Sequence, residues 1–335
     1  MKHLLKTHLF ELLLVFFAAV LFITNYAHGT YLMGWDNLQT ELSPWLGVKR
    51  AFFSVWEEYQ SFGLVAGNAH AADLVRALFI WILSFLLPQS VIRYVFHTLM
   101  VLVGGLGMLK LLEFLGFKKQ SKPLAFLGSL FYIFNFGTIQ IFFLPYEAFS
   151  IFFAALPWEI WIFLKLVNHL KKMNLSQIPR KELLIFLLIN VLATPQNFIQ
   201  TIFIVYMIIL GVILTVSAVE ERSFSVFIKG SLLCMIVVVI NSFWLAPQLY
   251  FLKTSGSVVK EAKTNAMSTA ETVYQNREKG TVPDFLRMEG FYYDLGDANH
   301  QQLFLRWQNH YKNPIIATLP YLFALTALIG LISKR

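Results

Sequence analysis

Long apolar runs, separated by short basic clusters and two longer polar stretches, set the pattern of this chain. Lys2 and Lys6 precede a first run from Leu9 to about Ala27, which at a helical rise of 1.5 Å per residue is long enough to cross a hydrocarbon core of roughly 30 Å. The run exceeds the usual signal-peptide core of about 7 to 15 residues and no small-residue cleavage site follows, so an uncleaved first helix with a cytoplasmic N-terminus is expected. Ala72 to Leu87 opens with Asp73 and Arg76 and stops at Pro88, which suits an interfacial or re-entrant helix better than a span. Val91 to about Gly116 then runs inward to Lys118, Lys119 and Lys122. Pro123 to about Phe143 returns outward, and Ala148 to about Val167 descends to Lys171, Lys172, Arg180 and Lys181. Positive clusters of this kind mark the cytoplasmic ends of spans.

Glu182 to Ala193 supplies only about 18 Å of helix before the break Thr194-Pro195-Gln196-Asn197, and Phe198 to Val219 follows. These pieces read either as a hairpin or as one broken crossing. A hairpin keeps Arg222, Lys229, Lys334 and Arg335 inside, whereas one crossing would export all four, so the hairpin is expected. Val226 to Phe251 rises to Trp244, Pro247 and Tyr250, a polar stretch from Lys253 to Asn313 stays outside, and Pro314 to Ile332 descends. The expected fold is an all-α integral membrane protein of about eight spans, both termini cytoplasmic, in the plasma membrane. It forms one membrane domain over 1–335, with extracytoplasmic loops at 29–90 and 253–313.

Composition agrees. Of the 335 residues 57% are hydrophobic and 14% charged, which favours a membrane protein over a soluble one. The net charge of +8 sits largely in the short clusters between apolar runs, and no basic stripe or binding motif points to nucleic acid. The one cysteine, Cys234, lies in an apolar run and excludes an intramolecular disulfide or a cysteine metal cluster. No internal repeat is present, and only one broken segment is clear, whereas carriers built from inverted repeats show paired breaks.

The first outer loop concentrates the polar chemistry. Between Gly34 and Arg76 it holds Asp36, Glu41, Lys49, Arg50, Glu57, Glu58, His70 and Asp73, interleaved with Trp35, Trp45, Trp56, Tyr59 and Phe62. Aromatic rings prefer the water–lipid boundary and charges avoid hydrocarbon, so this loop should lie at the interface. Asp36, beside Trp35 and a few residues past the first span, could face both a lipid-borne and an aqueous substrate; its plainer reading is a surface carboxylate or helix cap. His70, Arg76 and Arg93 lie near the expected outer boundary and are candidate phosphate ligands, since guanidinium grips phosphate through two donors. Arg76 also falls three residues after Asp73, where an ion pair on one helix face is the simpler explanation. Asp36, Glu41, His70 and Asp73 could converge on a divalent metal, but their spacing is not diagnostic and a metal stays open.

WDN at Trp35 to Asn37, the W-x-x-x-x-x-F-G spacing from Trp56 to Gly63, GNAHAADL at Gly67 to Leu74 and NSFWLAPQL at Asn241 to Leu249 carry a resemblance. With the order of a first helix, an acidic outer loop, interfacial helices and a run of spans, they resemble the GT-C superfamily of integral membrane glycosyltransferases. More narrowly, the motifs are similar to the N-terminal membrane module of arabinofuranosyltransferase-type members, and the resemblance covers most of residues 1–252. It implies sugar transfer from a polyprenyl-phosphate donor to a glycan or lipid acceptor at the outer face of a membrane, with Asp36 as general base and Glu41 as the alternative. That branch places a second acid four residues after the first, where this chain has Thr40, with Glu41 one later. Its members are usually longer, which leaves open whether this chain is a short relative, a truncated chain or one module. Inverting transfer needs one base, while the phosphate departs already charged and needs cations or hydrogen-bond donors, so no cofactor is required.

Other polar positions complete the expectations. A carboxylate at midplane without partners costs about 2.5 to 3.5 kcal/mol, so Glu147 should sit at the outer boundary, where it could line a donor pocket. Asn135, Gln140, Asn190 and Asn241 should make interhelical hydrogen bonds of about 0.6 kcal/mol each, and His97 a helix–helix contact. The Thr194 to Asn197 break should line a polar cavity. In the second loop Tyr292, Tyr293 and Trp307, near Asp294, Asp297, His300 and Arg306, suit sugar rings, which stack on aromatic faces; a solvated loop is the plainer reading. A lipid-linked-sugar carrier and a non-catalytic scaffold are the alternatives to the enzyme. A carrier should hold its polar groups near midplane, whereas here they gather in the outer loop.

Overall fold

The computed structural model describes residues 8–33, 39–57, 64–65, 70–117, 121–143, 145–172, 177–261, 281–289, 301, 309 and 312–332. The chain divides into two compact units, Met1–Thr254 and Ser255–Arg335.

The described chain is helical apart from a two-residue antiparallel pair, β1 (Trp56–Glu57) with β2 (Leu64–Val65), in which Trp56 faces Val65. The first unit opens with α1 (Leu9–Asn25). A 3-10 turn (Thr40–Leu42), α2 (Pro44–Phe53), a second 3-10 turn (His70–Asp73) and α3 (Leu74–Leu83) build the first loop. Then come α4 (Gln89–Phe114), α5 (Lys122–Phe134), α6 (Phe136–Phe143) and α7 (Glu147–Leu170). After α8 (Arg180–Leu192) a third 3-10 turn (Thr194–Phe198) leads into α9 (Gln200–Glu220), α10 (Phe224–Ile240) and α11 (Ser242–Glu261). Among the described residues three helices, α4, α7 and α9, are long and apolar enough to cross a membrane, or four spans if α10 and α11, bent by 79° at Asn241, count as one. α1 and α5 are apolar but shorter.

α4 and α7 form the central pair. Small residues let them meet: a Cβ at Gly104 would lie 2.5 Å from the Phe153 ring, and one at Gly107 2.5 Å from Trp158 Nε1. Trp158 Nε1 instead donates to the Val103 carbonyl at 2.9 Å. On its other side Gly105 admits Ile133 of α5 and Leu14 of α1. Close approach through small residues drives helix association where lipid removes the hydrophobic difference between inside and outside. Pro157 inside α7 has no N–H for the Phe153 carbonyl, and the Tyr132 hydroxyl of α5 donates to that carbonyl at 2.7 Å. A second core surrounds the later half of α7, where Ile162, Phe163, Leu166 and Val167 are fully buried against α8, α9 and α10.

Two expected spans are broken. Pro123 to Phe143 divides at Asn135, whose backbone is extended. Its Nδ2 donates to the Phe131 and Tyr132 carbonyls at 3.0 and 2.9 Å, while Oδ1 accepts from Thr138 N at 3.0 Å and caps α6. Asn135 is therefore a local cap and not the expected interhelical link, because its side chain completes the orphaned backbone groups of its own break. Asn190 and Asn241 do link elements, accepting from Tyr206 Oη at 3.0 Å and Asn197 Nδ2 at 2.7 Å. The side chain of Gln140 lies outside the described residues.

In the second unit, α12 (Val282–Arg287) starts with a capping box in which Asp284 N donates to Thr281 Oγ1 at 3.3 Å. The apolar α13 (Pro314–Ile332) follows.

Candidate functional site: a buried charge network between two cavities

Five charged side chains meet where the first loop packs on the starts of α4 and α7. Glu41 comes from the 3-10 turn Thr40–Leu42, Asp73 and Arg76 from the start of α3, Arg93 from the first turns of α4, and Glu147 opens α7. All five are buried, with Glu41 and Arg93 each only 3% exposed.

Arg76 grips Asp73 with two donors, Nε to Oδ1 and Nη2 to Oδ2, both at 2.6 Å. Its Nη1 lies 3.4 Å from Thr40 Oγ1 and 3.5 Å from Glu147 Oε1. Arg93 donates through Nη2 to Glu147 Oε1, and through Nη1 to Gln39 Oε1 and, at 3.3 Å, to Glu41 Oε1. Its Nε has no hydrogen-bond partner. Gln89 anchors the turn by donating to the Glu41 and Leu42 carbonyls, each at 3.0 Å. Removing charges from water is costly, and such a cluster survives only because the ions pair and hydrogen-bond one another.

Two cavities flank the network. One of about 140 Å³, the polar cavity, has the polar side chains of Gln39, Thr40, Ser43, Arg50, His70 and Asp73 set among the apolar Leu46, Gly47 and Ala51. Within it Arg50 Nη2 is 3.4 Å from His70 Nδ1, and the His70 ring stacks on Phe198 at 5.1 Å. The other, about 390 Å³ and almost wholly apolar, is lined by Phe79, Phe96, Met100, Ile151, Trp158 and Pro195, with Arg76 its one charged member. Asp73 thus faces the polar cavity and Arg76 the apolar one, so a single ion pair joins them.

The structure brings together Glu41, Arg76, Arg93 and Glu147 and sets His70 beside them, at the wall of the polar cavity. Arg76 makes the i,i+3 pair with Asp73 that its spacing allowed, and His97 the expected helix–helix contact, to Ser150 Oγ at 3.0 Å. Glu147 is buried and paired with Arg76 and Arg93. Trp35, Asp36, Tyr292, Tyr293 and Trp307 lie outside the described residues. Among the described residues no three His, Cys, Asp or Glu side chains gather as a metal site would require.

Sequence reasoning missed Gln39 and Arg50 as cavity residues, and missed Glu159. Glu159 is fully buried in mid-α7 and accepts from Gln196 Nε2 at 2.9 Å. An acid inside an apolar run was the available signal. The Thr194 to Asn197 break lines a cavity through Pro195, but the apolar one. Comparison with family models, curated proteins and solved structures returns no match.

Proposed function

We propose that this chain is a membrane glycosyltransferase of GT-C type, moving a sugar from a polyprenyl-phosphate donor to an extracytoplasmic glycan or lipid acceptor. The carrying observation is the Asp73–Arg76 pair set between a small cavity that holds Gln39, Arg50 and His70 and a larger, almost wholly apolar one. An amphiphile with a phosphate at its waist matches that division: chain in the apolar cavity, phosphate at the arginines, sugar on the polar side. The arrangement belongs in a plasma-membrane protein of about eight spans, with cytoplasmic termini and the first loop outside.

In the reaction Asp36 takes the proton of the acceptor hydroxyl. The oxygen attacks the anomeric carbon from the face opposite the phosphate, the carbon–oxygen bond to phosphate breaks, and phosphate leaves with the bonding electrons, inverting the centre. Arg76 meets the leaving charge by exchanging part of its Asp73 contact for phosphate, and Arg93 through its unpartnered Nε, while Glu41 and Glu147 hold Arg93 in place. Transfer measured in membranes supplied with radiolabelled polyprenyl-phosphate sugars should fall about 10²- to 10⁴-fold in Asp36→Asn. Unaltered transfer would remove the base.

A lipid-linked-sugar carrier is the second reading, and Glu159 favours it, because carriers bind near midplane beside broken helices. Labelled sugar that changes leaflet in proteoliposomes without joining an acceptor would select the carrier.

A further inference from the structure

Glu159 takes no part in the chemistry above, yet it is the most deeply buried acid of the described chain, 0% exposed. Its partner is a neutral amide: Gln196 Nε2 donates to Oε1 at 2.9 Å, while Glu159 Oε2 and Gln196 Oε1 have no hydrogen-bond partner. Gln196 is itself 1% exposed, held in the 3-10 turn Thr194–Phe198.

The groups on neighbouring elements do not neutralise it. Tyr132 of α5 donates to the Phe153 carbonyl and Tyr206 of α9 to Asn190. On α4, Arg93 is engaged by Glu41 and Glu147, and His97 by Ser150, all nearer the start of α7. Lys165, further along α7, pairs at 3.1 Å with Glu182 of α8. α10 carries Lys229 and Cys234, neither bonded to Glu159, and Lys110 of α4 lies over the Trp161 ring at 5.9 Å. An ionised carboxylate stripped of water and without a cation is strongly disfavoured, whereas the neutral acid is tolerated if its carbonyl oxygen accepts a bond.

We infer that Glu159 and Gln196 form a proton-binding site: at neutral pH Glu159 is the uncharged acid, Oε1 held by the Gln196 amide and the proton on Oε2. The site adjoins the apolar cavity, since Ala155 and Trp158 of α7 and Pro195 of the turn line it. Water admitted there is the acceptor for the proton, and a cavity filled by a hydrocarbon chain keeps the proton in place. The inference is independent of glycosyl transfer and holds for enzyme and carrier alike.

Infrared spectroscopy of the purified chain in lipid nanodiscs at neutral pH, in sodium and in choline buffers, tests it. The expected result is a protonated-carboxyl stretch, the same in both buffers, that is lost in Glu159→Gln. Absence of the band, a band unchanged by Glu159→Gln, or one seen only in choline would overturn the inference, the last by assigning the site to sodium. Should Glu159→Gln not fold, Gln196→Leu serves instead: loss of the amide donor shifts the band to higher frequency, and a band left in place refutes the pairing.

Discussion

Arg93 is held from three directions, by Gln39 and Glu41 of the first loop and by Glu147 of α7. Among the described residues Glu41, Asp73 and Glu147 pair only with Arg76 and Arg93, so no carboxylate of the cluster is idle. Deleting one member of a buried pair strands its partner, at a cost of about 3–5 kcal/mol. Glu147→Gln and Arg93→Gln should each lower stability by that order, and Arg93→Met with Glu147→Leu should cost less than the two single losses added; thermal unfolding in detergent measures both. Sequence reading supplied residue types here and not their partners. Arg93 and Glu147 stand 54 positions apart, and nothing in an arginine or a glutamate says which distant ion neutralises it. The Asp73–Arg76 pair was legible because helical spacing alone brings i and i+3 together.

Glycines of similar local sequence play opposite parts at the level of the helix. Gly107 sits where a Cβ would collide with Trp158, whereas Gly211 in α9 has nothing within 4 Å. Gly107→Val should therefore destabilise by about 1–3 kcal/mol through overpacking. Gly211→Ala should be neutral or stabilise by up to about 1 kcal/mol through reduced backbone freedom. Unfolding midpoints of the two variants, compared in the same detergent, decide the matter. The long helices were readable from long, predominantly apolar runs: the expected Val91–Gly116 and Ala148–Val167 appear as Gln89–Phe114 and Glu147–Leu170. The interruption at Asn135 was not, since an asparagine in an apolar run serves equally well as a link to another helix or as a cap for its own. The 79° bend at Asn241 was hidden for the same reason.

For the whole molecule the decisive quantity is orientation. Basic clusters predict that Trp45, exposed on α2, faces outward and Lys172, after α7, faces inward. In a Cys234→Ala background, a cysteine at residue 45 should react with an impermeant maleimide in intact cells, and one at residue 172 only after permeabilisation. Reversed labelling would place the charge network on the opposite side from any exported acceptor. The proline inside α7 has a mechanical consequence of its own. Glu147 and Glu159 stand on opposite sides of Pro157, on a helix that lacks its own rung at that level and borrows the Tyr132 hydroxyl instead. One phenol from a neighbouring helix is thus the strut across the missing rung, between the half bearing the ion cluster and the half bearing the solitary acid.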